Sequence, residues 1–121
     1  MLQHRLYEQR SILYLHPTAA LRKEDFVQLA KTVDSHIEKA GSLAGLILDI
    51  KAFPGWEDIG AMAAHFKFVR EHHQKIRKIA VVTDAKIGNL AEKLASHFVA
   101  ATIKHFPAGE VPAAERWISA P

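Results

Sequence analysis

With 121 residues, 49% of them hydrophobic, the chain fits one hydrophobic core and is too short for two. It contains no cysteine, which excludes a disulfide framework, a thiolate nucleophile and any Cys-bound zinc or iron–sulfur cluster. The formal charge of +3 is spread along the chain, too thinly for a nucleic-acid surface, and no apolar run is long enough to cross a bilayer.

In chain order, Arg5-Leu6-Tyr7 and Ser11-Ile12-Leu13-Tyr14-Leu15 read as two short strands. The gap Glu8-Gln9-Arg10 suits a hairpin, although no Asn-Gly or Asp-Gly marks it. From Arg22 the period becomes helical, with Phe26, Leu29, Ala30, Val33, Ile37 and Ala40 on one face and Gly41 as the stop. Leu43 to Ile50 is the next strand. Its unbroken Leu46-Ile47-Leu48 predicts burial on both faces, as in a parallel sheet. Lys51 to Gly55 is a loop. A second helix is expected to carry Trp56, Ile59, Met62, Ala63, Phe66, Val69 and His73 on its inner stripe, with Glu57 and Asp58 in its first turn.

Ile76 to Val82 forms a further strand that ends at Thr83-Asp84. An amphipathic helix is expected over Ile87, Leu90, Ala91, Leu94, Ala95 and Phe98. A last strand falls within Val99 to Phe106, and a short helix runs from Val111 to Ile118. The expected fold class is therefore a single α/β domain over residues 1–121, in the order β-β-α-β-α-β-α-β-α. Its four- to five-stranded sheet is mixed but largely parallel, with helices packed mainly on one face.

This order resembles the STAS family, and within it the SpoIIAA-like branch of small bacterial proteins. The residues that carry the likeness are Leu46-Ile47-Leu48-Asp49-Ile50, Phe53-Pro54-Gly55-Trp56, His65-Phe66-Lys67-Phe68, Ile79-Ala80-Val81-Val82-Thr83-Asp84 and Ala114-Glu115-Arg116-Trp117-Ile118. The resemblance implies a partner-binding or regulatory role. In anti-anti-sigma members a serine at the start of the second helix is phosphorylated. Here that place holds Glu57-Asp58-Ile59, so the resemblance does not extend to the phosphorylation switch.

No catalytic signature is present. None of Ser11, Ser35, Ser42, Ser96 and Ser119 lies in a Gly-x-Ser-x-Gly elbow, and no glycine-rich phosphate loop occurs. The eight histidines include no pair at the i, i+3 or i, i+4 spacing that zinc needs on a helix, so neither metal nor cofactor is expected. The remaining constellation is positional. Ligands in open α/β sheets sit beyond the carboxyl ends of parallel strands. One such end carries Asp49, Lys51, Phe53, Gly55, Trp56 and Asp58; the other carries Thr83, Asp84 and Lys86. If the two strands are neighbours, these residues share a rim. Trp56 then walls an apolar pocket, and Lys51 or Lys86 meets an anionic head. In the plainer reading, Phe53 and Trp56 cap the core and Asp58 stabilises a helix start.

The expectation is thus a cytoplasmic, non-catalytic binding or regulatory module for a small amphipathic, lipid-like ligand or a protein partner. Two alternatives stay open. One is an acid–base enzyme using Asp58, Asp84 and His65. The other is a homodimer joined through Ala61-Met62-Ala63-Ala64.

Overall fold

A computed structural model describes residues 1–84 and 101–121. The expected helix over 87–98, and with it Lys86, lies outside the described residues. The elements are β1 (Leu2–Tyr7), β2 (Ile12–Pro17), α1 (Lys23–Ala40), β3 (Leu43–Asp49), α2 (Ile59–His72), a 3-10 turn (His73–Lys75), β4 (Ile76–Val82), β5 (Thr102–Phe106) and α3 (Val111–Ser119). The strands lie side by side in the order β1-β2-β3-β4-β5. β1 and β2 are antiparallel; every later pair is parallel. The buried segments of β3 and β4 run together as their unbroken apolar composition requires, with Leu46 beside Ile79, Ile47 beside Ala80 and Leu48 beside Val81.

The hairpin turn is closed by Ser11, whose φ of 58° supplies the left-handed position that a glycine or asparagine often fills. Its hydroxyl then joins three elements. It lies 2.7 Å from Nε2 of His36 on α1, donates to the Ser42 carbonyl at 3.1 Å, and accepts from the Ala44 N–H at 3.2 Å. His36 is buried by this arrangement.

Two cores flank the sheet. On one face α1 brings Phe26, Leu29 and Val33, and α2 brings Phe68 and Val69, against Leu13, Leu15, Leu46, Ile79 and Val81. On the other, α3 sets Ala114 and Ile118 against Ile12, Ile47, Ala80, Val82 and Phe106. α1 and α2 are also tied by a buried ring. His72 stacks on Phe68 at 4.2 Å, with Nδ1 2.7 Å from the Phe68 carbonyl and Nε2 2.7 Å from the Asp34 carboxylate. Gly45 lets α3 approach β3 closely, since a methyl group there would lie within 2.7 Å of the Ile118 side chain. Lys78 reaches from β4 to the end of α3, donating to the carbonyls of Trp117 (2.9 Å) and Ala120 (3.0 Å) with its ammonium over the Trp117 ring. A cation at this helix end also complements the dipole.

α2 differs from the expected helix in start and in phase. It begins at Ile59, because Asp58 caps it by accepting the Ala61 N–H at 2.8 Å. Trp56 stands outside the helix, bridged to Leu21: the Leu21 N–H donates to Gly55 and the Glu57 N–H to Leu21, each at 2.8 Å. This fixed entry turns Ala61, Phe68, Val69 and His72 inward and leaves Ile59 and Phe66 exposed. Ala61 is fully buried, so the Ala61–Ala64 segment does not offer a continuous face to a second copy.

Candidate functional site

The ends of β3 and β4 are adjacent, with Asp49 beside Val82 and the Ile50 N–H donating to the Val82 carbonyl at 3.1 Å. From there the outgoing segments are anchored to different neighbours. The loop after β3 turns at Gly55, whose φ of 83° favours glycine, and is held to Leu21 between β2 and α1. The loop after β4 is held by β5 and the turn that follows it. The Thr83 N–H donates to Phe106 at 2.9 Å, the His105 ring approaches the Thr83 carbonyl at 2.6 Å, and the Asp84 carboxylate accepts the Ala108 N–H at 2.9 Å. Thr83 is buried, while Lys51, Asp58 and Asp84 are exposed.

Aromatic side chains gather at the β3 half of this rim. Trp56 donates its indole N–H to Nδ1 of His65 at 3.0 Å. Its ring meets Phe53 edge-on at 4.9 Å and Phe66 at 5.7 Å. His65 stacks on Phe26 at 4.8 Å, which ties the group to the core. The outer members remain in contact with solvent: Phe53 is 47% exposed and Phe66 43%. Of the predicted site residues, the structure thus brings Phe53, Gly55, Trp56 and Asp58 together around one loop. Asp58 and Asp84 are each engaged with a backbone N–H, Asp58 at the start of α2 and Asp84 beside β5.

A second polar group at the strand ends includes Tyr14 and His16, which the sequence reading did not single out. The Tyr14 hydroxyl donates to the Asp49 carboxylate at 2.5 Å. His16 Nδ1 lies 2.9 Å from the Asp49 carbonyl, so it carries the proton that bond needs. Burial, and then the bond to Asp49 and its negative charge, push the Tyr14 hydroxyl up from 10.0 to about 12. The signal was the i, i+2 spacing of Tyr14 and His16 on one strand face, but its meaning depends on the register with β3.

This shift has a defined consequence. A tyrosine raised on folding contributes stability that is complete below its unfolded value near 10 and is lost as pH rises towards 12. Ultraviolet titration of the folded protein should show a tyrosinate step near pH 12 that Tyr14→Phe removes. If Tyr14→Phe leaves the high step intact, the step does not belong to Tyr14; Asp49→Asn should lower it, since the Asp49 bond and charge add to the effect of burial.

An antiparallel hairpin leading into a parallel sheet, with helices on both faces and an aromatic loop at the strand ends, defines a STAS-type α/β module. The chain belongs to the SpoIIAA-like family, whose model matches residues 12–119. A solved structure similar to it is an uncharacterized protein of the DUF3478 family with a SpoIIAA-like fold, from Shewanella loihica PV-4. That protein is 19% identical, with a TM-score of 0.70 over 98% of this chain and 92% of the other. At that identity the likeness establishes the fold alone. Among curated proteins none matches this chain.

Proposed function

We propose that the chain is a non-catalytic binding module that takes a small amphipathic ligand at the aromatic rim. The observation that supports this reading is Trp56, fixed by its bond to His65 while Phe53 and Phe66 against its ring keep apolar surface in water. An apolar surface with one oriented polar contact suits an acyl or aromatic body. Lys51, exposed on the same loop, supplies a cation for an anionic head. Asp58 is committed to the helix start, and Glu57-Asp58-Ile59 offers no hydroxyl there, so the module works without a phosphorylated serine at that place.

Titration with medium-chain fatty acids and lysolipids tests the reading, followed by thermal shift and tryptophan fluorescence. A saturable shift is expected. Trp56→Ala, or Phe53→Ala with Trp56 retained, should weaken it at least tenfold, on the order of the contribution of a buried aromatic anchor. No response to any amphiphile would overturn the ligand assignment.

A further inference from the structure

The outer edge of β1 carries an inference of its own. The Thr18 N–H donates to the Met1 carbonyl at 2.9 Å, which fixes the phase of the hairpin ladder. Hydrogen-bonded pairs alternate in antiparallel strands, so Gln3 with His16, Arg5 with Tyr14 and Tyr7 with Ile12 exchange bonds across it. The same phase follows from β2, where the Ser11 carbonyl turns the other way and accepts from Ala44 and Gly45 of β3. Leu2, His4 and Leu6 therefore turn their N–H and C=O groups away from β2. Pro17, the partner of Leu2, has no N–H to place in the ladder and fits this phase.

Among the described residues β1 ends the sheet, and the charge on its edge is limited to Arg5 and the ionisable ring of His4. Its sequence Leu2-Gln3-His4-Arg5-Leu6-Tyr7 contains no proline or lysine, and its register with β2 runs without a bulge.

We propose that this edge pairs antiparallel with β1 of a second copy, about a twofold axis at His4, so that two sheets become one. In this register Leu2, His4 and Leu6 exchange bonds with the partner's Leu6, His4 and Leu2. Leucine then meets leucine on the face that packs on α1, where His4 is already drawn to Thr32 by a 3.2 Å contact. On the opposite face, exposed Arg5 lies across from the partner's Gln3, so guanidinium meets amide. A shift of register towards Tyr7 sets Arg5 against the partner's Arg5. A shift towards Met1 sets Leu2 against the partner's His4 and parts the leucines. This self-complementarity about His4 selects a copy of the chain over a foreign strand as the occupant.

Sedimentation velocity across a concentration series tests the pairing on the full chain. The unmodified protein should show a monomer–dimer equilibrium. Gln3→Arg places a second cation opposite each Arg5 and should weaken association roughly tenfold, whereas Gln3→Glu should strengthen it. Both should keep the parent circular dichroism. His4→Pro removes an N–H that the β1–β2 ladder does not use and should give a folded monomer. If His4→Pro fails to fold, the opposed Gln3 variants still decide the matter. A parent protein that stays monomeric, or a dimer indifferent to charge at position 3, overturns the proposal. So does a monomer that takes an extended foreign peptide on this edge.

Discussion

Gly45→Ala should destabilise the protein by about 1–3 kcal/mol in urea unfolding, the usual cost of overpacking. Gly45 is buried in β3, and an added methyl group would penetrate the Ile118 side chain of α3. Ile118 is itself 4% exposed, so Ile118→Ala alone should cost about 2–5 kcal/mol through the cavity it leaves. The diagnostic result is the double variant. Gly45→Ala with Ile118→Ala should cost clearly less than the two single losses together, because the new methyl group occupies space that the isoleucine vacates. Strict additivity would mean that the close approach of α3 to β3 is not what the glycine serves.

Ser11→Ala should cost about 1–3 kcal/mol, since it takes from the buried His36 ring its 2.7 Å partner, while the Ala44 N–H keeps the Ser11 carbonyl at 2.9 Å. Ser11→Gly loses the same bonds but relaxes the left-handed backbone at φ 58°, and should recover about 1 kcal/mol relative to alanine. Denaturant midpoints of the two variants separate hydrogen bonding from backbone strain. Equal stability would show that the turn stores no appreciable strain. His36→Ala in the same background measures the coupling directly, because Ser11 and His36 should not be additive.

Much of the fold was legible because local composition and global packing agree. The apolar run Leu46-Ile47-Leu48 specified a strand covered on both faces, and the structure gives it α1 and α2 on one side and α3 on the other. The stripe from Phe26 to Val33 on α1 is buried as its spacing requires. The phase of α2 was not legible. Trp56, Ile59, Phe66 and Phe68 are all large and apolar, so periodicity alone offered competing inner faces. The choice was made by the Leu21–Trp56 bridge and the Asp58 cap, and the first joins residues far apart in sequence. The same holds for the site. The aromatic loop was visible as Phe53-Pro54-Gly55-Trp56, whereas its anchorage on His65 required the helix phase. The group formed by Tyr14, His16 and Asp49 required the β2–β3 alignment, and His16 binds a carbonyl that no sequence pattern displays.

Trp117 packs with the core on the α3 side of the sheet, whereas Trp56 packs with the core of α1 and α2. The chain has two tryptophans, so each layer carries its own intrinsic fluorophore. The Trp56 indole is bonded to a histidine ring, and the Trp117 ring lies beneath a lysine ammonium. Replacing either by phenylalanine makes the remaining emission a reporter for a single side of the molecule, without any dye attached.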